Sequence, residues 1–344
     1  MFNFVGNEKV VSLLKRSLEK GSTSHAYLLV GPPHVGKMTL ALELAKALNC
    51  EADDRPCGVC ASCKKISEGK HSDINIVELQ KSGEGEAAKT RVSVEQVNEI
   101  LHSVNLPPFE GKCKVFIFDG FENLSIAAAN RMLKTLEEPV SQVVFILLAA
   151  NEKLVPATII SRCQRLELFP ISFEMEEQAL QERWGVEPAR AKLLARLSAG
   201  CLGWAVTMAL DDSLLQQRNE WLDTWLEIID SDMDTRFVFA AKTVERFSQN
   251  RETVLQKLYL LRDWCRDVLL VKAGNAAAVT NIDRAAALEA MADRLSLARI
   301  RHLVKDVQTA IERLKQNVNP QLVMEVLMLN LPERGKVKEG KSLT

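Results

Sequence analysis

A stretch with the spacing of a phosphate-binding loop places the strongest constraint on the fold. The sequence GPPHVGKM occupies positions 31–38, and Gly31, Gly36 and Lys37 are the fixed positions of that motif. In such a loop backbone N–H groups cradle phosphates and the lysine reaches the terminal ones. The apolar run 26–30 before it predicts a strand, and the periodic run 39–48 after it predicts a helix. This order predicts a nucleotide-binding α/β domain, with a chance match on an unrelated turn as the alternative.

The residue that should hold magnesium is missing from this loop. The motif calls for a Ser or Thr hydroxyl after the lysine, but Met38 offers only a thioether, which is a poor ligand for a hard cation. Thr39 comes one residue later. Because a helix turns about 100° per residue, we expect the Thr39 hydroxyl to point away from the position that Met38 leaves without a ligand.

The second half of an ATPase site is also incomplete. Asp119 follows the apolar run 115–118 and occupies the position that orients the magnesium water shell. Gly120 follows where a glutamate base is common, and Glu122 would have to reach back to replace it. General-base assistance is worth about 10²–10⁴ in rate. We therefore interpret Gly31, Gly36, Lys37, Thr39 and Asp119 as a degenerate site that binds ATP and Mg²⁺ statically or not at all.

Four cysteines lie within fourteen residues, at Cys50, Cys57, Cys60 and Cys63. Their C-x6-C-x2-C-x2-C spacing can surround one tetrahedral Zn²⁺, and four thiolates leave no open position for water. This pattern predicts a structural zinc knuckle. An iron–sulfur cluster, a redox CxxC pair and unligated thiols are the alternatives.

Composition limits the class of protein. With 44 Lys and Arg against 45 Asp and Glu, the chain has no global basic field, which argues against a zinc module that binds DNA alone; contact with DNA would be local or shared with partners. We expect no membrane span, since no window approaches 18 apolar residues, and no secretory leader. A cytoplasmic location with reduced thiols is the expectation.

The strand and helix patterns divide the chain into segments. Strand-like runs at 26–30, 74–79, 114–118, 143–148 and 165–168 alternate with helical patterns, as in a parallel sheet covered on both faces. Beyond position 170 the patterns are helical, first at 174–183 and 187–197 and then in longer amphipathic stripes. The lysine-rich stretch 333–344 predicts a disordered tail.

Several further motifs carry a resemblance to a known family. They are SHAY at 24–27, NRMLKTLEEP at 130–139, TIISRC at 158–163 and NVNPQL at 317–322, together with the cysteine cluster. With these motifs the chain resembles the delta-prime family of bacterial DNA polymerase III clamp-loader subunits, which are AAA+ proteins. The resemblance spans nearly the whole chain.

The resemblance implies three domains and a set of partners. They are an AAA+ α/β domain at 1–168 with its zinc knuckle at 50–63, a helical lid at 169–209, and an all-α collar at 210–332. The implied partners are gamma/tau and delta subunits in a hetero-pentameric ring, the sliding clamp, and primed DNA through the complex. The implied setting is the DNA-directed DNA polymerase holoenzyme, a nucleotidyltransferase.

The family resemblance also gives Arg162 a role. It implies that Arg162 enters the ATP site of an adjacent subunit as an arginine finger, whereas an ordinary surface salt bridge is the alternative. The sensor position reads AAN at 149–151, and the lid motif GCLGW at 200–204 has no arginine. These losses fit a subunit without its own ATP turnover. An ATP-hydrolysing gamma/tau-type motor, with Thr39 and Glu122 completing the site, is the rival hypothesis.

Overall fold

The structure of the protein, a computed structural model, describes residues 2–77, 94–316 and 318–332. The predicted tail, position 317 and the end of the predicted strand 74–79 lie outside the described residues. The chain forms two compact units, one comprising Met1–Arg183 with Gly200–Trp204 and the other Trp184–Ala199 with Ala205–Thr344. The segment predicted as a lid is divided between these units, and the three-domain boundaries stay a prediction.

A parallel sheet organises the first unit. Its strands are β1 (Ala26–Val30), β2 (Ile74–Val77), β3 (Lys114–Asp119), β4 (Val143–Ala149) and β5 (Gln164–Glu167). They lie in the order β2-β3-β4-β1-β5, and every neighbouring pair is parallel. The predicted α/β fold with a parallel sheet is therefore confirmed, and the strand bounds agree within about one residue wherever they are described.

Alternate side chains of the central strands enter two separate cores, one on each face of the sheet. Leu29, Ile117 and Ile146 pack into the first core, while Leu28 and Phe116 pack into the second. Because successive strand residues point to opposite faces, strands that are apolar throughout require cover on both sides. The covering helices are α1 (Glu8–Glu19), α2 (Lys37–Asn49), α3 (Ala61–Ser67), α4 (Val94–Val104), α5 (Ile126–Glu137) and α6 (Ala157–Ile160).

Helices make up the second unit in the described part of the chain. Two predicted short helices are present, as α7 (Phe173–Trp184), which belongs to the first unit up to Arg183, and as α8 (Pro188–Ser198) in the second unit. Helix α9 (Leu202–Leu210) begins in the first unit. The remaining helices are α10 (Asp212–Ile229), α11 (Met233–Gln249), α12 (Arg251–Lys272), α13 (Ala285–Arg294), α14 (Leu297–Lys315) and α15 (Pro320–Asn330). Their apolar stripes form one core that includes Trp225 and Trp264. Among the described residues, no helix has the length and apolarity to cross a membrane.

Buried Asp73 fixes the loop that leads into β3. Its carboxylate accepts hydrogen bonds from the backbone N–H groups of Phe109, Glu110 and Gly111, at 2.7–2.8 Å. Burial opposes ionisation of Asp73, but these three donors outweigh it and hold its pKa below the usual value. The ionised carboxylate therefore stabilises this end of the sheet.

We expect Asp73→Asn to lower the free energy of unfolding by about 2 kcal/mol, because an amide NH₂ group cannot accept from a backbone N–H and leaves a donor unmatched. Hydrogen exchange at residues 109–111 should accelerate. A depressed pKa gives stability that is present at neutral pH and lost as the pH falls below about 4, so the difference between the two proteins should shrink there. The exposed Glu99→Gln on α4 is the control. Equal exchange in Asp73→Asn and wild type would contradict this account.

Candidate nucleotide site, cysteine cluster and exposed arginine

The carboxyl ends of β1, β3 and β4 meet around a cavity of about 400 Å³. Parallel strands bring these ends to one edge of the sheet, and ligand sites in open α/β folds lie there. The cavity brings together Lys37, Thr39, Asp119 and Gly36 of the predicted site, whereas Gly31 shapes the loop beside it. The lining residues are Pro33, His34, Gly36, Lys37, Met38, Thr39, Asp119, Gly120, Glu122, Leu148, Ala150 and Gly203.

The loop between β1 and α2 has the backbone that the motif requires. Gly36 has φ 101° and caps the start of α2, and a Cβ on Gly31 would lie 2.5 Å from the carbonyl oxygen of Leu168. Both positions therefore need glycine. His34 has φ 61°, a left-handed conformation that carries strain in a residue other than glycine.

The ammonium group of Lys37 is bound within its own loop. Its Nζ donates to the carbonyl oxygens of Gly31 at 2.7 Å and Pro32 at 2.8 Å, and only 9% of the residue is exposed. Burial lowers the pKa of Lys37, while the negative charges of Glu122 and Asp119 oppose that shift. A phosphate entering this cavity would have to compete with two carbonyls for the lysine.

Glu122, which lies two residues beyond the usual position of the base, lines the cavity. It lies in a single 3₁₀ turn, Phe121–Asn123, directly after Gly120 at φ 72°. One carboxylate oxygen accepts from the backbone N–H of Ala150 at 2.8 Å, and the other is buried with no hydrogen-bond partner among the described residues. A carboxylate is therefore present, but the end of β4 holds it in place.

The other residues considered for magnesium or sensing are placed as follows. Met38 packs its side chain against the first sheet core, and Thr39 is exposed beside the cavity. Asn151 accepts a hydrogen bond from the backbone N–H of Lys153 and so caps a short 3₁₀ turn. Ala150, not Asn151, lines the cavity.

A backbone contact links the loop to the segment at 200–204. The N–H of Gly203 donates to the carbonyl oxygen of His34 at 2.9 Å. A Cβ on Gly203 would lie 2.7 Å from that same oxygen, so this approach requires glycine. The segment that lacks a sensing arginine thus holds the loop through its backbone, a contact for which the sequence gives no signal.

The four predicted metal ligands converge. The sulfur atoms of Cys50, Cys57, Cys60 and Cys63 all lie within 4.8 Å of one another. Sulfurs around a tetrahedral zinc ion, with Zn–S near 2.3 Å, lie about 3.8 Å apart. This donor set fits zinc, and it would hold the ion as a structural crosslink between the end of α2 and the start of α3.

Backbone N–H groups favour the thiolate form of Cys57, whereas burial raises the pKa of Cys63 to about 12. Cys57 Sγ accepts from the N–H of Cys60 at 3.3 Å and of Val59 at 3.5 Å, and these bonds lower the Cys57 pKa to about 6. Cys50 Sγ accepts from the N–H of Cys57 at 3.4 Å. Thiolate is the form that ligates metal, so these contacts fit the same chemistry.

Arg162 lies at the surface, two residues before the start of β5. Its Nη1 donates to the carbonyl oxygen of Thr158 at 2.8 Å and to Ser161 Oγ at 3.3 Å, and its Nη2 bonds the carboxylate of Glu137. About one third of the Arg162 side chain is exposed, as is half of Glu137. The guanidinium is therefore accessible from outside the chain and is also fixed by its neighbours.

Comparison with known proteins gives matches along most of the chain. A family model described as "DNA polymerase III, delta subunit" matches residues 6–172, and a model of the C-terminal part of that subunit matches residues 239–333. The delta' subunit of Bacillus subtilis is 30% identical over 94% of this chain and 96% of its own length. This chain belongs to the delta-prime family of DNA polymerase III.

Other members of the polymerase III system match a part of the chain. The tau subunit of Escherichia coli is 36% identical over 59% of this chain and 31% of its own length. The chain thus spans about a third of the length of that relative. A gamma-subunit-related protein of Thermotoga maritima superposes with a TM-score of 0.49 at 17% identity, covering 93% of this chain and 98% of that one.

We expect the purified protein to contain about one zinc ion per chain, measured by elemental analysis, because four thiolates close a tetrahedral site. Cys57→Ser should reduce the zinc content severalfold. Cys163→Ala, which removes a half-buried thiol outside the cluster, should leave it unchanged. Iron in place of zinc, or a metal-free wild-type protein, would contradict the prediction.

Proposed function

We propose that this chain is a non-hydrolysing subunit of the DNA polymerase III clamp loader, which loads the sliding clamp onto primed DNA. In this proposal it stands beside gamma/tau and delta subunits in a hetero-pentameric ring in the cytoplasm. Its contribution to catalysis is Arg162, given to the ATP site of a neighbour. The observation that carries the proposal is the accessible, hydrogen-bonded guanidinium of Arg162 in a chain whose own nucleotide site lacks essential groups.

The state of the chain's own cavity supports the absence of turnover. Met38 provides no hydroxyl for magnesium, and Lys37 is bound to the carbonyls of Gly31 and Pro32. Glu122 has one oxygen tied to Ala150. Efficient hydrolysis needs a metal-bound phosphate and a free base at the same time, so these features together disfavour it.

The surroundings of Arg162 support a role outside the chain. A guanidinium can stabilise charge that develops on a transferred phosphoryl group, which is worth about 10³–10⁵ in rate where arginine fingers act. Two N–H groups, on Nε and Nη2, have no hydrogen-bond partner among the described residues. Guanidinium N–H donors of this kind match phosphate oxygens.

A gamma/tau-type motor is the second candidate function. Glu122 lines the cavity and Thr39 lies exposed beside it, so both groups that could rescue hydrolysis are near the place where they would act. Under this alternative the isolated chain turns over ATP. Under our proposal it does not.

We expect the purified chain to release no more phosphate from Mg-ATP than its Lys37→Ala variant, because Met38 replaces the magnesium-binding hydroxyl and a backbone hydrogen bond from Ala150 holds Glu122. A colorimetric phosphate assay over several hours measures both rates. The gamma/tau alternative gains if the wild type turns over ATP and Lys37→Ala abolishes that turnover.

We expect Arg162→Ala to leave ring assembly intact and to slow hydrolysis at the neighbouring ATP site by about 10³-fold or more. Size-exclusion chromatography of the reconstituted loader checks assembly, and its DNA-stimulated ATPase checks turnover. Arg165→Ala removes an exposed arginine three residues further on, paired with Glu152 and Glu167, and should leave turnover unchanged. Wild-type turnover in Arg162→Ala would refute the assignment.

A further inference from the structure

We propose that Glu137 is a positioning residue that holds the Arg162 guanidinium in the orientation required by a neighbouring phosphoryl group. This inference rests on the proposed function, since it gives Arg162 its role as a donated cation. Glu137 touches neither nucleotide nor any reacting atom in this scheme. It acts only through Arg162.

The guanidinium is held from two directions by two different elements. On one side, Nη1 bonds the carbonyl oxygen of Thr158 and the hydroxyl of Ser161, which belong to α6 and the residue after it. On the other side, Nη2 bonds the carboxylate of Glu137, the last residue of α5. Hydrogen bonds from both sides fix the plane of the guanidinium. With contacts from one side alone, the guanidinium could still rotate.

The end of α5 is itself fixed. Leu136 is only 2% exposed and belongs to the second sheet core, and its carbonyl oxygen lies 3.0 Å from His25 Nε2. His25 directly precedes β1. Glu137 therefore projects from a backbone that is tied to the residue preceding β1, although its own carboxylate lies at the surface.

The end of α6 is equally well fixed. Ile159 is fully buried in the same core, and Cys163 packs against that core just after Arg162. The hydroxyl of Ser161 donates to the carbonyl oxygen of Thr158 at 3.2 Å, so the two acceptors used by Nη1 are joined to each other. Two rigid supports thus flank a long and otherwise flexible side chain.

These contacts orient the Arg162 guanidinium. An exposed ion pair contributes little to folding stability, so stability does not account for a guanidinium held by three contacts. A free arginine side chain has large rotational freedom, and fixing it beforehand removes that cost from the step in which it meets a phosphate. Glu137, Thr158 and Ser161 leave one N–H on Nε and one on Nη2 without a partner within the described part of the chain. In this proposal these two N–H groups face the neighbouring phosphoryl group.

The test uses the reconstituted loader with sliding clamp and primed DNA, and compares Glu137→Ala, Glu137→Gln, Arg162→Ala and the double variant Glu137→Ala with Arg162→Ala. We expect Glu137→Ala to lower kcat by about 3- to 10-fold with little change in KM for ATP, as for an interaction expressed in the transition state. Glu137→Gln keeps an oxygen acceptor and should restore most of the rate. Glu138→Ala, which removes the adjacent exposed carboxylate, is the control and should match wild type.

The double variant separates positioning from a general structural effect. If Glu137 acts through Arg162, the double variant should be no slower than Arg162→Ala alone. The inference is overturned if Glu137→Ala matches wild type, or if it slows the Arg162→Ala background by the same factor as the wild-type background. Failure of the proposed function has a different signature, in which Arg162→Ala itself leaves the ATPase unchanged.

Discussion

The parallel register of β1, β3 and β4 is the constraint on which the nucleotide site depends. The pairing of Lys114 with Val143 and of Ala26 with Phe145 brings the carboxyl ends of these strands to one edge. The loop that carries Lys37, the turn that carries Glu122 and the amide of Ala150 all start from that edge. Both faces of the sheet are covered by apolar cores, so the strands cannot slide past one another without exposing those cores to water. The site therefore keeps its shape although Met38 stands where the motif has a magnesium-binding hydroxyl.

The hydrogen bonds of Lys37 show how such a site can be stable without a bound phosphate. Burying an ammonium group costs free energy unless hydrogen-bond acceptors replace its water, and the carbonyls of Gly31 and Pro32 supply that replacement. The N–H of Gly203 satisfies the carbonyl of His34 in the same loop. The polar groups of the loop therefore already have hydrogen-bond partners within it. An incoming phosphate would have to displace the bonds from Lys37 to the two carbonyls, so its net binding free energy would be reduced by the cost of breaking them. This balance favours the proposed static or absent nucleotide over productive binding.

Much of the fold could be predicted from the sequence, because apolar runs and helical periodicity report burial directly. The runs that became β1, β3 and β4 are fully or almost fully buried, so their bounds were clear. The cysteine spacing likewise predicted a convergence that the structure contains. The rest depended on contacts distant in sequence. Glu122 enters the cavity through a single 3₁₀ turn, and Glu137 meets Arg162 across 25 residues. Neither contact has a local pattern, since each is set by how two elements pack.

The helices α5 and α6, whose apolar side chains cover one face of the sheet, also position the proposed arginine finger. Leu136 and Ile159 belong to a single core with Phe116, Phe145 and Leu147 of the sheet, and the residues next to them on the surface are Glu137 and the group around Arg162. A change that enlarges a cavity in this core would let α5 or α6 shift, and a shift of about 1 Å can cost 10²-fold in a positioned reaction. Stability and the proposed donation of Arg162 are therefore coupled through packing. For this reason a substitution at the surface carboxylate, which leaves the core intact, separates positioning from stability more cleanly than a substitution at the buried residues that support it.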